Sequence, residues 1–356
     1  MAKPLEELHQ LSKDPPDNNA KARLLFVLKL LTMLFTTLDI HIQDDQPESE
    51  AAVSTVDSRG EKVEQPVLVI LRQCLPVYQL LCSTYSTVSE ISEAVCLNLK
   101  QAVAILQDDM RPLTQEVLRL ALAAPQPAAL ELSKQFFIMY GREEGMVAPL
   151  RSLLTELATT SLATIQAAPS LSDQADLIDS FYSMLSQVLK KQAGLFLQPS
   201  LPAGALLGLA IQALAMPEQH PVKATASFLT QLVGQSSEVE SLAPLVTAHG
   251  EQLFMAVIKC VGGAASRSYI DYFTDILLAL NKKYFDNLCR YMNTMVTTPA
   301  FPTELCSREA KEQFARAVLK ERANKRKLQE TVREFSLLAR GLLGSEYAAQ
   351  LVQLGL

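Results

Sequence analysis

The chain has 356 residues, 49% of them hydrophobic and 20% charged, with a formal net charge of −6. That length and apolar content exclude a disordered chain and supply material for two ordinary domains or one repetitive array. Aromatic residues make up only 6%, with no Trp, which argues against a surface built to stack sugars or bases. Leu, Ala, Gln, Glu and Lys dominate, so the composition predicts an all-α protein.

Met1 leads into the polar residues 3–19, so no secretory signal is expected at this end. Residues 24–38, LLFVLKLLTMLFTTL, are the most hydrophobic run, but they number fifteen and include Lys29 and three Thr. A membrane span needs roughly 20 apolar residues with almost no charge, so a buried helix is expected and no membrane insertion. Residues 43–65 then carry seven acidic residues against Arg59 and Lys62 and few apolar anchors, which predicts a flexible acidic insertion. The six cysteines (74, 82, 96, 260, 289 and 306) form no CxxC pair and read as reduced, packed thiols.

Apolar residues recur at helical spacing along almost the whole chain. One stripe is Ile178, Phe181, Leu185 and Val188, opened by the capping candidates Ser172 and Asp173; another is Ile270, Phe273, Leu277 and Leu280, behind Ser266 and Ser268. Most prolines fall between stripes and mark helix boundaries, while Pro76 and Pro244 are expected to kink or interrupt helices. Phe181, Phe228 and Phe273 share one Phe-x-x-x-Leu core and lie 47 and 45 residues apart. Phe136 lies 45 residues before Phe181, and Val95 lies 41 before Phe136. A period of about 40 to 47 with two helices per unit is that of HEAT and armadillo arrays. The fold expected is a right-handed α-solenoid of antiparallel helix pairs, about seven in all, forming a single array over residues 1–356.

Residues 308–340 reverse the charge, with ten basic residues against five acidic ones. Lys320, Arg322, Lys325, Arg326 and Lys327 crowd what reads as one helical segment, interleaved with an apolar stripe from Phe314 to Leu338. The stripe implies that the segment packs within the array, so its charges brace a neighbouring repeat or meet an acidic partner, and direct nucleic-acid binding is not expected. Catalytic chemistry is not legible. The four histidines are scattered, no HExxH, Walker, GxGxxG or GxSxG pattern occurs, and Gly262-Gly263 reads as a helix C-cap. No enzyme activity, metal or cofactor is expected.

Several ordered stretches carry a resemblance. These are LFTTLDI at 34–40, SEAVCLNLKQAV at 92–103, DLIDSFYSMLSQVLKK at 176–191, residues 237–283, and Phe301-Pro302 with LKERANKRKLQETVREFSLLARGL at 319–342. Together they resemble the C-terminal HEAT repeats of the karyopherin-β (importin-β) family. The resemblance implies a nucleocytoplasmic transport receptor that holds protein cargo on its concave face, contacts nucleoporin Phe-Gly repeats and answers to Ran-GTP. Such a receptor shuttles between cytoplasm and nucleus through the pores of the nuclear envelope and uses no cofactor of its own.

Family members are much longer, so the chain is expected to lack the N-terminal Ran-binding repeats, which puts Ran-GTP binding in question. Exposed apolar surface on the first helices is the corresponding expectation. The second helix of each pair should line the concave face, giving Asp173, Asp176, Asp179, Asp271, Asp275, Lys282 and Lys283 as candidate partner-binding residues. A HEAT-repeat scaffold with no dependence on Ran or the pore is the alternative reading.

Overall fold

The computed structural model describes residues 2–13, 17–38, 64–86, 88–122, 126–236 and 239–345. The expected acidic insertion lies outside the described residues except for Glu64 and Gln65, where Glu64 pairs with Arg72. Every regular element among the described residues is helical. The chain divides into two compact units, Met1–Leu157 and Ala158–Leu356.

The first unit contains α1 (Ala2–Leu11), α2 (Asn18–Thr37), α3 (Pro66–Thr84), α4 (Ser89–Leu106), α5 (Thr114–Leu122) and α6 (Pro127–Tyr140). The division falls inside α7 (Val147–Ala167). Asp17 starts α2 by accepting the Ala20 N–H at 2.5 Å, and the buried stripe Leu24, Leu28, Leu31 and Phe35 then faces the core. Helices α2, α4 and α6 pack in succession as one layer; α1, α3 and α5 form the other.

By length and composition α3 could cross a membrane, but Val67, Leu71, Leu75, Tyr78 and Leu81 turn that apolarity inward. Pro76 does not end this helix; it sits on the exposed side. Between the layers a buried polar chain runs from the Tyr78 hydroxyl to Asn98 Oδ1, while Asn98 Nδ2 donates to Thr32 Oγ1 at 3.2 Å. On the outside of α2, Phe26 and Met33 are 66% and 65% exposed, and Leu30 between them is 40% exposed.

The second unit contains α8 (Ala175–Gln192), α9 (Ala203–Ala213), α10 (Gln219–Gln235), α11 (Ala243–Lys259) and α12 (Ile270–Lys283). It closes with α13 (Phe285–Thr297), α14 (Arg308–Lys320) and α15 (Lys325–Ala339). One layer runs α8, α10, α12, α15 and the other α9, α11, α13, α14. Phe181, Phe228 and Phe273 fall one each on α8, α10 and α12, all essentially inaccessible, so the sequence period is the stacking period of one layer. Tyr182 joins them, with ring centroids 5.3 Å from Phe181 and 5.2 Å from Phe228. Its hydroxyl donates to the Leu206 carbonyl of α9 at 2.8 Å and so ties the two layers together.

Three local expectations are corrected. The cap before α8 is Ser170, whose side chain accepts the Ser172 N–H at 3.2 Å while Asp173 accepts the Ser170 N–H at 3.1 Å. This closes a 3-10 turn one step upstream of the helix. Ser266 and Ser268 hydrogen-bond each other at 2.9 Å rather than capping α12. Pro244 stands in the first turn of α11, where its missing N–H costs nothing.

The basic stretch is also two helices, not one. Helix α14 ends at Lys320, and Asn324 caps α15 by accepting the Lys327 N–H at 3.1 Å. Gly262-Gly263 does terminate α11, through a π-type turn at Cys260–Ala264 in which Gly263 has φ of 140°, a value that favours glycine.

Candidate partner-binding surface

The seven candidate residues lie on one layer of the second unit but separate into three chemical groups. Asp173 is exposed, and its carboxylate is engaged in the capping box. Asp176 and Asp179 follow on the first turns of α8, Asp176 exposed and Asp179 half-buried.

Asp271 and Asp275 sit one turn apart on α12, and both face α15. Arg333 Nη2 donates to the two Asp271 oxygens at 3.0 and 3.1 Å, and Lys325 Nζ meets Asp275 at 2.5 Å. The basic stretch therefore braces its neighbour through Lys325 and Arg333, the role weighed above for its charges. Lys282 and Lys283 are exposed in the last turn of α12. At 1.5 Å per residue they stand roughly 16 Å along the helix from Asp271.

Asp275 also lines a groove of about 280 Å³ between α10 and α12, with Lys223, Ser227 and Thr230 on the α10 side. The α10 row is polar but not acidic, so the layer presents carboxylates on α8 and α12 separated by Lys223. Ser186 and Ser227 meet at 3.2 Å and fix the α8–α10 register at this surface. The layer therefore carries carboxylates and cations interspersed, with Asp271 and Asp275 already answered by Arg333 and Lys325.

A second groove, of about 430 Å³, runs along α9 and is lined by Ile165, Pro169, Leu171, Ala205, Gly208 and Leu209. A Cβ added at Gly208 would meet nothing within 4 Å, so the groove is open at this point.

Burial pushes the Cys74 and Cys260 thiols up to about 11 and Cys96 up to about 12. A thiol held there is almost wholly protonated at neutral pH and is a poor nucleophile. Among the described residues no group of three or more His, Cys, Asp or Glu side chains could hold a metal ion.

Arg322 belongs to the basic cluster that the sequence marks, but its neighbour does not show there. Its guanidinium lies 4.1 Å from the Phe285 ring centroid, beside Lys282 and Lys283. Residues 285 and 322 come together through tertiary packing of α12, α13 and α14, of which the sequence carries no local sign.

Each unit is built of two layers of paired helices, the architecture of the helical-repeat class to which importins belong. A family model described as Importin 13 repeat matches residues 214–288. Importin-13 from Homo sapiens is 35% identical over 97% of this chain, and that from Gallus gallus is 34% identical over 97%. Importin-13 homolog A from Dictyostelium discoideum is 22% identical over 47% of the chain. A solved structure of importin-13 in its cytosolic state superimposes with a TM-score of 0.83 at 28% identity, covering 96% of this chain and 38% of that one. The chain belongs to the importin-13 family. It spans 36% of the length of its human and chicken relatives.

Proposed function

We propose that this chain acts in nucleocytoplasmic transport as the cargo-holding part of a karyopherin-type receptor. The observation that carries the reading is family identity sustained over 97% of the chain, joined to a superimposable helical-repeat fold. In this reading the chain corresponds to the C-terminal third of the family's receptors. The α8, α10 and α12 layer is the concave, cargo-facing one, and Asp176 and Asp179, with Asp271 and Asp275 behind their braces, steer basic cargo. The α9 groove, which Ile165, Leu171 and Leu209 help to line, takes Phe-Gly segments of nucleoporins during passage. Ran-GTP gating belongs to the chain joined to N-terminal repeats, whose surface supplies the main Ran contact in the family. The work is binding and release, with no catalytic step.

The test is entry into the nuclei of permeabilised cells. Fluorescent full chain should collect at the nuclear rim and enter faster than an inert protein of 39.1 kDa, and excess Phe-Gly peptide should abolish the difference. Entry no faster than the inert protein, with cargo binding intact, overturns the receptor reading in favour of a HEAT-repeat scaffold.

A further inference from the structure

We propose that the cleft at the α12–α13 turn is a second docking site, one that takes a short carboxylate-rich protein segment. The proposal does not rest on the transport reading. The cleft has a volume of about 440 Å³, and Lys282, Lys283, Phe285, Asp286 and Arg322 are among its lining residues. Three cations against one carboxylate leave the lining with a net charge of about +2 on a chain whose net charge is −6.

The rest of the basic stretch supplies the contrast. Lys325 pairs with Asp275, Arg333 with Asp271, and Lys327 with Glu321 at 3.0 Å, so those charges are answered inside the fold. Among the described residues no ion pair engages Lys282, Lys283 or Arg322. Lys320, also exposed, adds a further cation two residues before Arg322.

The cleft is positioned by the core. Asn281 is wholly buried, and its Nδ2 donates to the Val318 carbonyl at 2.8 Å and the Glu321 carbonyl at 3.4 Å. That clamp fixes the α14–α15 turn against the end of α12, one residue from Lys282 on one side and one residue from Arg322 on the other. Arg322 then lies over the Phe285 ring, a contact that restrains its guanidinium before any ligand arrives and lowers the entropy lost on binding. Glu321, the carboxylate nearest in sequence, is only 12% exposed and is neutralised by Lys327, so it does not compete for the cleft's cations. The cleft also opens at the start of α13, whose first-turn amides favour negative charge.

Protein is favoured over nucleic acid by size and surroundings. The cationic lining is short and Asp286 stands within it, so it could neutralise little of a long polyanion. A segment with two or three adjacent Asp or Glu matches its charge and its extent.

The experiment is fluorescence anisotropy of a labelled oligoglutamate peptide with the full chain, at low salt and at ~0.15 M ionic strength. Saturable, salt-weakened binding is expected. The double variant Lys282→Gln/Lys283→Gln should weaken it about fivefold, the effect of losing two exposed charge–charge contacts. The matching pair Lys190→Gln/Lys191→Gln, at the end of α8, removes the same charge elsewhere and should leave affinity unchanged. Arg322→Lys, which keeps the charge but loses the guanidinium over Phe285, should weaken binding without altering the circular dichroism spectrum. Absence of saturable binding, or equal losses in the two double-lysine variants, overturns the site. Tighter binding of a single-stranded oligonucleotide of equal charge, dependent on Lys282 and Lys283, also overturns it by making this a nucleic-acid surface.

Discussion

Arg340 Nη2 donates to the Ala265 carbonyl at 2.7 Å across 75 residues of sequence. The same group reaches the Cys260 carbonyl at 3.2 Å, and Ser336 Oγ donates to the Val261 carbonyl at 2.7 Å. The last carbonyls of a helix have no intrahelical donor, and here the end of α15 supplies donors for the end of α11. A guanidinium suits the task because several donors project from one rigid plane. Arg340→Met should therefore cost about 2 kcal/mol, with Arg340→Lys recovering only part of it. Hydrogen exchange is the measurement: amides of the α11 terminus and of α15 should exchange about thirtyfold faster, while those of α8 are unchanged.

The same turn holds a steric contact. A Cβ built on Gly262 would stand 2.6 Å from Pro302 Cβ and 2.9 Å from Pro302 Cγ. A proline ring cannot rotate away, so Gly262→Ala forces the backbone to shift and should destabilise by about 1–3 kcal/mol. Adding Pro302→Ala should return part of that loss. A thermal scan of the two variants checks the pair, and an unchanged midpoint for Gly262→Ala would show that the turn yields freely.

How much of this was legible in the sequence follows from which contacts are local. The spacing of Phe181, Phe228 and Phe273 located the α8–α10–α12 layer because each repeat places the same side chain in the same stack. Prolines found most helix ends for an equally local reason, the missing N–H. The capping of α8 by Ser170, the break at residues 321–324 and the π-type turn after α11 were missed in detail, since each turns on backbone angles that neighbouring residues could satisfy in several ways. The candidate surface was half legible. Helical spacing put Asp271 and Asp275 on one face of α12, but only packing shows that Arg333 and Lys325 already hold them, and only packing brings Arg322 to Phe285.

Tyr182 tests the tie between layers. Its ring is fully buried, and burial drives its hydroxyl pKa well above the ordinary tyrosine value, so it serves as a neutral donor at any working pH. Tyr182→Phe keeps the stack with Phe181 and Phe228 but strips the Leu206 carbonyl of its donor. The expected cost is about 1–2 kcal/mol, against about 3–5 kcal/mol for Tyr182→Ala, which also opens a cavity. Urea unfolding followed by far-ultraviolet circular dichroism distinguishes the two.

The braces on α12 make a linked prediction about partners. Asp271 and Arg333 are both partly exposed, so their coupling in a double-mutant cycle should be no more than about 1 kcal/mol. Arg333→Met nevertheless frees the Asp271 carboxylate and removes a positive charge beside it. Affinity for a labelled oligolysine peptide should rise severalfold even as stability falls slightly. A fall in affinity together with stability would remove Asp271 from the candidate surface.

Acid sensitivity in the first unit should trace to Glu131. Burial raises its carboxyl pKa, but hydrogen bonds from Lys134 at 2.5 Å and Lys100 at 3.0 Å outweigh it, and the net result lies below the ordinary glutamate value. A carboxylate whose pKa is lower folded than unfolded binds its proton more readily in the unfolded chain. The stability it contributes is therefore complete above the unfolded value of about 4.3 and is lost as pH falls through the lower folded value. Because the group is partly exposed, the contribution is about 1 kcal/mol or less. Glu131→Gln should be less stable than the native chain at pH 7, and the gap should close as pH falls below about 4. Urea titrations of both proteins across that range check the sign; a gap that widens toward acid would mean that Lys100 and Lys134 do not hold the ionised form.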